Sequence, residues 1–163
     1  MKTFQKGFSL VELLLVVVII GVLAAIAIPN LVAARRSANE GSALSSLRTL
    51  HVSQIIFART NGGGSYSPNL SGLRNAYLID EVLSQGSRSG YEFKTFSSGS
   101  GNDADFAVGA SPTVYTGINA TGAKKFCMAA AGILRAENAP AQIGTNITQV
   151  SDCNTTNFTL NIQ

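Results

Sequence analysis

Residues 8–28 read FSLVELLLVVVIIGVLAAIAI, and only Ser9 and Glu12 are clearly polar in those 21 positions. A helix of that length spans about 30 Å, the thickness of a bilayer hydrocarbon core. The pattern predicts a membrane helix with one carboxylate near its start. A lone carboxylate in lipid costs about 2.5 kcal/mol or more, so Glu12 needs a partner or must snorkel to the interface. Past Pro29 the pattern changes. Arg35, Arg36, Asn39, Glu40 and Arg48 mark the exit from the membrane. Ala43, Leu44, Leu47, Leu50, Ile55, Ile56 and Phe57 then recur at broadly helical spacing, which predicts a stripe packed on the chain's own domain. Asn61-Gly62-Gly63-Gly64 ends the helix, because glycine tolerates left-handed cap conformations. From Phe8 to Thr60 this helix holds 53 residues, roughly 80 Å. Pro29 removes a backbone donor inside it, so a kink is expected there, with Gly21 as a second weak point.

Beyond the helix the period shortens. Residues 65–72 read as loop, and Leu73–Ser84 reads as a short helix with Tyr77, Leu78, Val82 and Leu83 on its apolar side. Short aromatic and β-branched runs follow, separated by turn formers: Tyr91–Phe96, Asp105–Ala110, Lys125–Ala129 and Gly132–Arg135. Adjacent strands with short turns imply an antiparallel meander, with one face covered by the amphipathic half of the long helix. The tail from Ala136 to Gln163 is polar and rich in Asn and Thr. It predicts loop, with an edge strand at Phe158–Ile162. The fold class is α+β.

Composition narrows the function. The formal net charge is +3, and loss of Lys2 and Lys6 alone would leave +1, so the pI near 9.1 is weak support for a nucleic-acid partner. Charged residues make up only 13% of the chain, which suits an exported surface more than an electrostatically steered binder. Lys2 and Lys6, with no acid before the apolar run, keep the amino terminus cytoplasmic and send the rest outward. Ala24-Ala25-Ile26-Ala27 would serve as a secretory cleavage site. Against that, the apolar run exceeds a signal-peptide core, and Glu12 stands at its very start.

Candidate chemistry is sparse. Cys127 and Cys153 are the two cysteines; in an outward-facing domain an even count reads as one disulfide. A metal or redox role lacks both a C-x-x-C spacing and a neighbouring histidine. His51 is the only histidine and reads as a packing or surface residue of the long helix. Asp103 and Asp105 would supply oxygens to calcium, but such a glycine-rich turn is more simply a solvated hairpin tip. Lys124-Lys125 reads as an exposed pair. Gly62-Gly63-Gly64 lacks the lysine of a phosphate loop. Five Asn-x-Ser/Thr sequences, at Asn69, Asn119, Asn146, Asn154 and Asn157, are what so Asn/Thr-rich a chain carries by chance. No catalytic constellation, metal site or cofactor motif emerges, and an enzyme is not expected.

The stretch Lys6-Gly7-Phe8-Ser9-Leu10-Val11-Glu12-Leu13-Leu14, the apolar span behind it and Pro29 resemble the class III signal of type IV pilins and type II secretion pseudopilins. The resemblance implies that a prepilin peptidase cuts the Gly7–Phe8 bond and methylates the new amino terminus at Phe8. A leader of seven residues resembles that of the type IVa group. The new amine of one subunit and the Glu12 carboxylate of its neighbour would then neutralise each other in an apolar filament core, where a low dielectric makes either alone costly. In that family the segment between such positions can lose helicity on assembly; for Gly21 to Pro29 the resemblance leaves this and a simple bend both open. Tyr77-Leu78-Ile79-Asp80, Ser89-Gly90-Tyr91, Lys124-Lys125-Phe126 and Gly132-Ile133-Leu134-Arg135 resemble, less specifically, a subgroup of pilin and pseudopilin heads. The Cys127–Cys153 pair matches the disulfide that closes the carboxy-terminal region of pilins.

The expected organisation follows. Residues 1–7 are a leader, 8–29 a membrane and filament-core helix, 30–60 its amphipathic half, and 61–163 the pilin head: a long helix on a small antiparallel sheet, with a disulfide-closed carboxy-terminal region. The expected protein is a major pilin of a helical surface filament serving adhesion, motility or DNA uptake. Its partners are further copies of itself, the prepilin peptidase, an inner-membrane assembly platform with its ATPase and, before assembly, the membrane; no small-molecule substrate is expected. The precursor sits in the inner membrane with its head outside the cytoplasm, and the product is an extracellular pilus. The runner-up is a major pseudopilin of type II secretion, whose family usually carries a calcium loop in place of the disulfide. A signal-anchored periplasmic binding protein is the reading from another class.

Overall fold

The computed structural model describes residues 7–138 together with positions 150, 153, 160 and 161. The chain forms two compact units, Met1–Ala34 and Arg35–Gln163. Helix α1, Leu10–Thr60, contributes to both. In the first unit it begins two residues after the expected Phe8 and continues through Gly21 and Pro29. Next to Pro29, whose nitrogen cannot donate, the Asn30 side-chain Nδ2 donates to the Ile26 carbonyl at 3.1 Å.

In the second unit the remainder of α1 lies against a six-stranded sheet. The strands are β1 (Ser87–Arg88), β2 (Tyr91–Ser98), β3 (Asp105–Pro112), β4 (Lys124–Ala129), β5 (Leu134–Asn138) and β6 (Leu160–Asn161). They pair antiparallel in the order β1-β2-β3-β4-β5-β6, the expected meander. Helix α1 stops at Thr60 because Asn61 and Gly62 both donate to the Phe57 carbonyl. The chain then turns through Gly63 at φ +57° and Gly64 at φ +91°, a region where only glycine is free of strain.

The alternation of the strands places one set of side chains toward α1. Phe93 and Thr95 of β2 stand opposite Ala110 and Val108 of β3, which pair onward to Phe126 and Met128 of β4. Those meet Ala136 and Leu134 of β5. Ala43, Leu47 and Leu50 of α1 complete this core and are fully buried. Burying a Leu-sized side chain contributes about 1.5–3 kcal/mol, so this face supplies much of the unit's stability. Ile56, expected in the stripe, is exposed.

Three polar side chains of α1 share the buried face: Ser46, Ser53 and Gln54. Gln54 is fully buried and fully used. Its amide donates to the Ser67 carbonyl at 2.8 Å and the Thr95 hydroxyl at 2.6 Å, and its oxygen accepts from the Ser67 N–H at 2.8 Å. A buried amide so satisfied avoids the desolvation penalty of an orphan polar group and fixes the loop after α1 onto β2.

Three expectations are corrected. The single helix over Leu73–Ser84 is two: α2 (Leu70–Asn75) and α3 (Glu81–Ser84). Tyr77 at φ +57° interrupts them. The Asn69 carboxamide accepts from Gly72 N–H at 2.8 Å and the Asp80 carboxylate from Leu83 N–H at 2.9 Å, so each helix has its own N-cap. The fourth strand starts at Leu134, because Gly132 at φ +74° belongs to the turn before it. The sheet also buries both faces. On the side away from α1, Ala107, Cys127 and Ala129 form a second cluster with Val150 and Cys153, flanked by Phe96. The anticipated edge strand is seen as β6; its flanking positions lie outside the described residues.

The disulfide joins Cys127 to Cys153, with Cα atoms 5.7 Å apart, and holds the carboxy-terminal region to this outer face. Beside it, Lys125 is buried and pairs at 2.9 Å with Glu137, its opposite number across β4–β5. The Lys124-Lys125 dipeptide is therefore not the simple exposed pair its sequence suggests.

Candidate assembly segment

Gly7 and Phe8 precede α1, and both are exposed. The first turn closes with the Leu13 N–H donating to the Ser9 carbonyl at 3.2 Å. Glu12 lies in this turn, three residues after Ser9, the serine–glutamate spacing of a capping box. A carboxylate there also faces the positive end of the helix dipole. Among the described residues no hydrogen bond or ion pair engages it.

The surface behind Glu12 is apolar on every side. Every large apolar side chain from Leu10 to Ile28 is exposed, and Phe8 is 84% exposed. A helix apolar all round belongs in a bilayer or a packed core, not in water, and α1 is long and apolar enough to cross a membrane. Gly21 and Pro29 lie within this surface; Cys127 and Cys153 belong to the second unit.

Other candidates find ordinary roles. His51 packs its ring 5.2 Å from that of Phe106, with Nε2 3.4 Å from the Ala130 carbonyl. Asp103 ends a short 3-10 turn at Gly101–Asp103, and Asp105 accepts from the Phe106 N–H at 2.8 Å. Among the described residues no three His, Cys, Asp or Glu side chains converge as a metal site. Asn69, the first of the Asn-x-Ser/Thr positions, is occupied as a helix cap.

One arrangement in the second unit escaped the sequence reading. Arg36, Asn39 and Glu40 lie on one face of α1 and bind the β3–β4 loop. Arg36 donates to the Gly117 carbonyl at 2.6 Å, Asn39 to the Thr121 carbonyl at 2.9 Å, and Glu40 accepts from the Ala123 N–H at 2.9 Å. The Tyr91 hydroxyl donates to the Lys124 carbonyl at 2.9 Å, and it fills the space where a Gly122 side chain would stand. Burial, and then the Glu40 carboxylate, push the Tyr91 phenol well above its ordinary range. The i, i+3, i+4 spacing puts the three side chains on one helix face, but nothing local in the sequence names the loop they bind, 81 to 83 positions away.

A family model, the Prokaryotic N-terminal methylation motif, matches residues 2–28. The chain is 44% identical over 53 residues to the type IV major pilin protein PilA of Myxococcus xanthus, covering 32% of this chain and 24% of that protein. It is 43% identical over 68 residues to the type IV wide pilus major component PilA4 of Thermus thermophilus, 42% of this chain and 50% of the relative. To the type IV major fimbrial protein FimA of Dichelobacter nodosus it is 48% identical over 58 residues, 34% and 36% of the two chains. The matches thus span between a quarter and a half of these relatives' own length. No solved structure matches the chain significantly. The methylation motif, the long helix on an antiparallel sheet and the disulfide together fit the pilin fold. Over the matched part of its length the chain is similar to the type IV major pilins of these organisms.

Proposed function

We propose that the chain is the structural subunit of a type IV pilus and not an enzyme. The observation that carries this is the apolar surface of residues 8–28, exposed on every side and headed by Gly7, Phe8 and Glu12. Such a surface has two suitable environments: lipid before assembly and the helices of other copies afterwards. The precursor is held in the inner membrane by residues 8–29, with the basic leader 1–7 inside and residues 30–163 outside. A prepilin peptidase cuts Gly7–Phe8 and methylates Phe8. An assembly platform with its ATPase then moves the helix from lipid into the filament. The exchange needs little net hydrophobic free energy, because apolar surface is covered in both states.

Glu12 is the register device. The Phe8 amine of one copy and the Glu12 carboxylate of the next are each costly alone in an apolar core and neutralise each other when aligned. A Glu12→Ala variant is expected to be processed, to remain in the membrane and to build few or no filaments. Normal filament yield from that variant would remove the register role.

The reading is tested by intact mass and amino-terminal sequencing of protein sheared from the cell surface. The expected product starts at methylated Phe8 and lacks two hydrogens at its cysteine pair. Product starting at Phe8 but confined to the membrane fraction would point to a pseudopilin. A start at Met1, or near Ala27, would end the pilin reading.

A further inference from the structure

The clamped β3–β4 loop, residues 113–123, has a feature its bonding does not account for. It is hydrogen-bonded at both ends and near its tip. Thr113 donates through N–H and hydroxyl to the Gly90 carbonyl, at 2.9 and 3.0 Å. Thr121 N–H donates to the Val114 carbonyl at 2.7 Å, and Ala120 N–H to the Gly117 carbonyl at 3.2 Å. Arg36, Asn39 and Glu40 fasten the same loop to α1. Yet its tip presents Ile118, 69% exposed, and Val114, four positions earlier, is 41% exposed. An apolar tip on a hydrogen-bonded loop is a surface waiting for cover, not the result of fraying.

The charge around it is one-sided. Residues 113–124 contain no acid. Arg35 and Arg36 lie at the start of the unit, and Lys124 ends the loop. The nearest acid in sequence along α1, Glu40, is held by the Ala123 N–H. Arg36, the residue that grips Gly117, comes only seven positions after Pro29, about 10 Å of helix. The loop is thus fastened to α1 eight positions after Ile28 in the sequence.

We propose that residues 113–123 with Arg35 form a foot that rests in the headgroup layer of the bilayer while the subunit awaits assembly. Ile118 and Val114 enter the boundary between headgroups and acyl chains, and Arg35 binds lipid phosphate. Apolar tips flanked by arginine suit that boundary, since the guanidinium pairs with phosphate oxygens while its neighbours lose contact with water. The foot rests on the reading that residues 8–29 span the membrane.

The chain has no tryptophan, so a single one can report. Full-length chain carrying Ile118→Trp is reconstituted into vesicles of phosphatidylethanolamine and phosphatidylglycerol, some brominated high on the acyl chains. The reference is Ile133→Trp, on the β4–β5 turn where Gly132 lies beside His51, well beyond the clamp along α1. The expected result is a blue-shifted emission at position 118, most of it lost to the brominated lipid, and a water-like, unquenched emission at 133. Arg35→Gln, a change at an exposed side chain, is expected to reduce quenching at 118 several-fold; no reduction would overturn the phosphate contact. Water-like emission at both positions in protein that floats with the vesicles overturns the foot and leaves the membrane helix standing. Equal quenching at both overturns it too, as general adhesion of the head. Failure to float removes both readings.

Discussion

Leu14 and Leu47 belong to one helix and meet opposite fates: Leu14 is 57% exposed and Leu47 fully buried. The difference lies in what surrounds each half of α1, not in helix formation. In the second unit a sheet, two short helices and a clamped loop take up the apolar stripe. In the first unit the large apolar side chains from Leu10 to Ile28 stay exposed among the described residues. One region therefore carries its own folding free energy, and the other depends on lipid or on further copies. The proposed passage from bilayer to filament would use this division, because the anchor could change surroundings without unfolding the head.

The largest expected effect is a matched pair on that helix. Leu47→Ala opens a cavity between α1 and the sheet and should cost the head about 2–5 kcal/mol. Leu14→Ala removes the same atoms where the chain itself makes no packing, and should leave head unfolding unchanged. Urea unfolding of both variants in detergent, followed by the near-ultraviolet dichroism of the head tyrosines, measures the contrast. Equal losses at the two positions would mean that the halves of α1 are not independent.

Next in size is the disulfide. Cys127 and Cys153 are 26 residues apart, and opening a loop of that length is worth about 3 kcal/mol on the chain-entropy estimate. The double Cys→Ser variant should lose about that much head stability and keep its membrane association. Its exposed outer face, with Ala107 and Ala129, should also become open to protease at the carboxy-terminal region. Stability unchanged by reduction would show that the outer cluster holds without its covalent tie.

How far the sequence spoke also follows this division. The apolar anchor was fully legible, since its signal is local and one-dimensional: twenty-one positions with two polar exceptions. The meander was legible from alternation and turn residues. The covered outer face was not foreseen, although β3 and β4 carried its sign in Phe-Ala-Val-Gly-Ala and Phe-Cys-Met-Ala, runs too continuous for a strand wet on one side. The division of the helix after Leu73 turned on Asp80, which reads as an ordinary surface acid until its carboxylate is seen capping Leu83. Gln54, Lys125 and the Arg36–Asn39–Glu40 clamp were out of reach for another reason. Each is polar, and burial of a polar side chain depends on partners 12 to 83 positions away, which no local pattern encodes.

The smallest expected effect belongs to Tyr91 and confines itself to the head. The phenol is buried and donates to the Lys124 carbonyl, and burial and Glu40 raise its pKa above the ordinary 10.0. In the unfolded chain the proton leaves near 10; in the folded chain it stays on. The folded state thus binds the extra proton, and its contribution is complete below pH 10 and lost as pH climbs toward the raised folded value. Each unit of pH in that window should remove about 1.4 kcal/mol. Tyr91→Phe should cost about 1 kcal/mol at pH 8, from the lost hydrogen bond, and then fall less steeply than the parent between pH 10 and 12. Parallel decline of the two would mean that Tyr91 ionises freely in the folded head, and that the Glu40 end of the clamp is open to water.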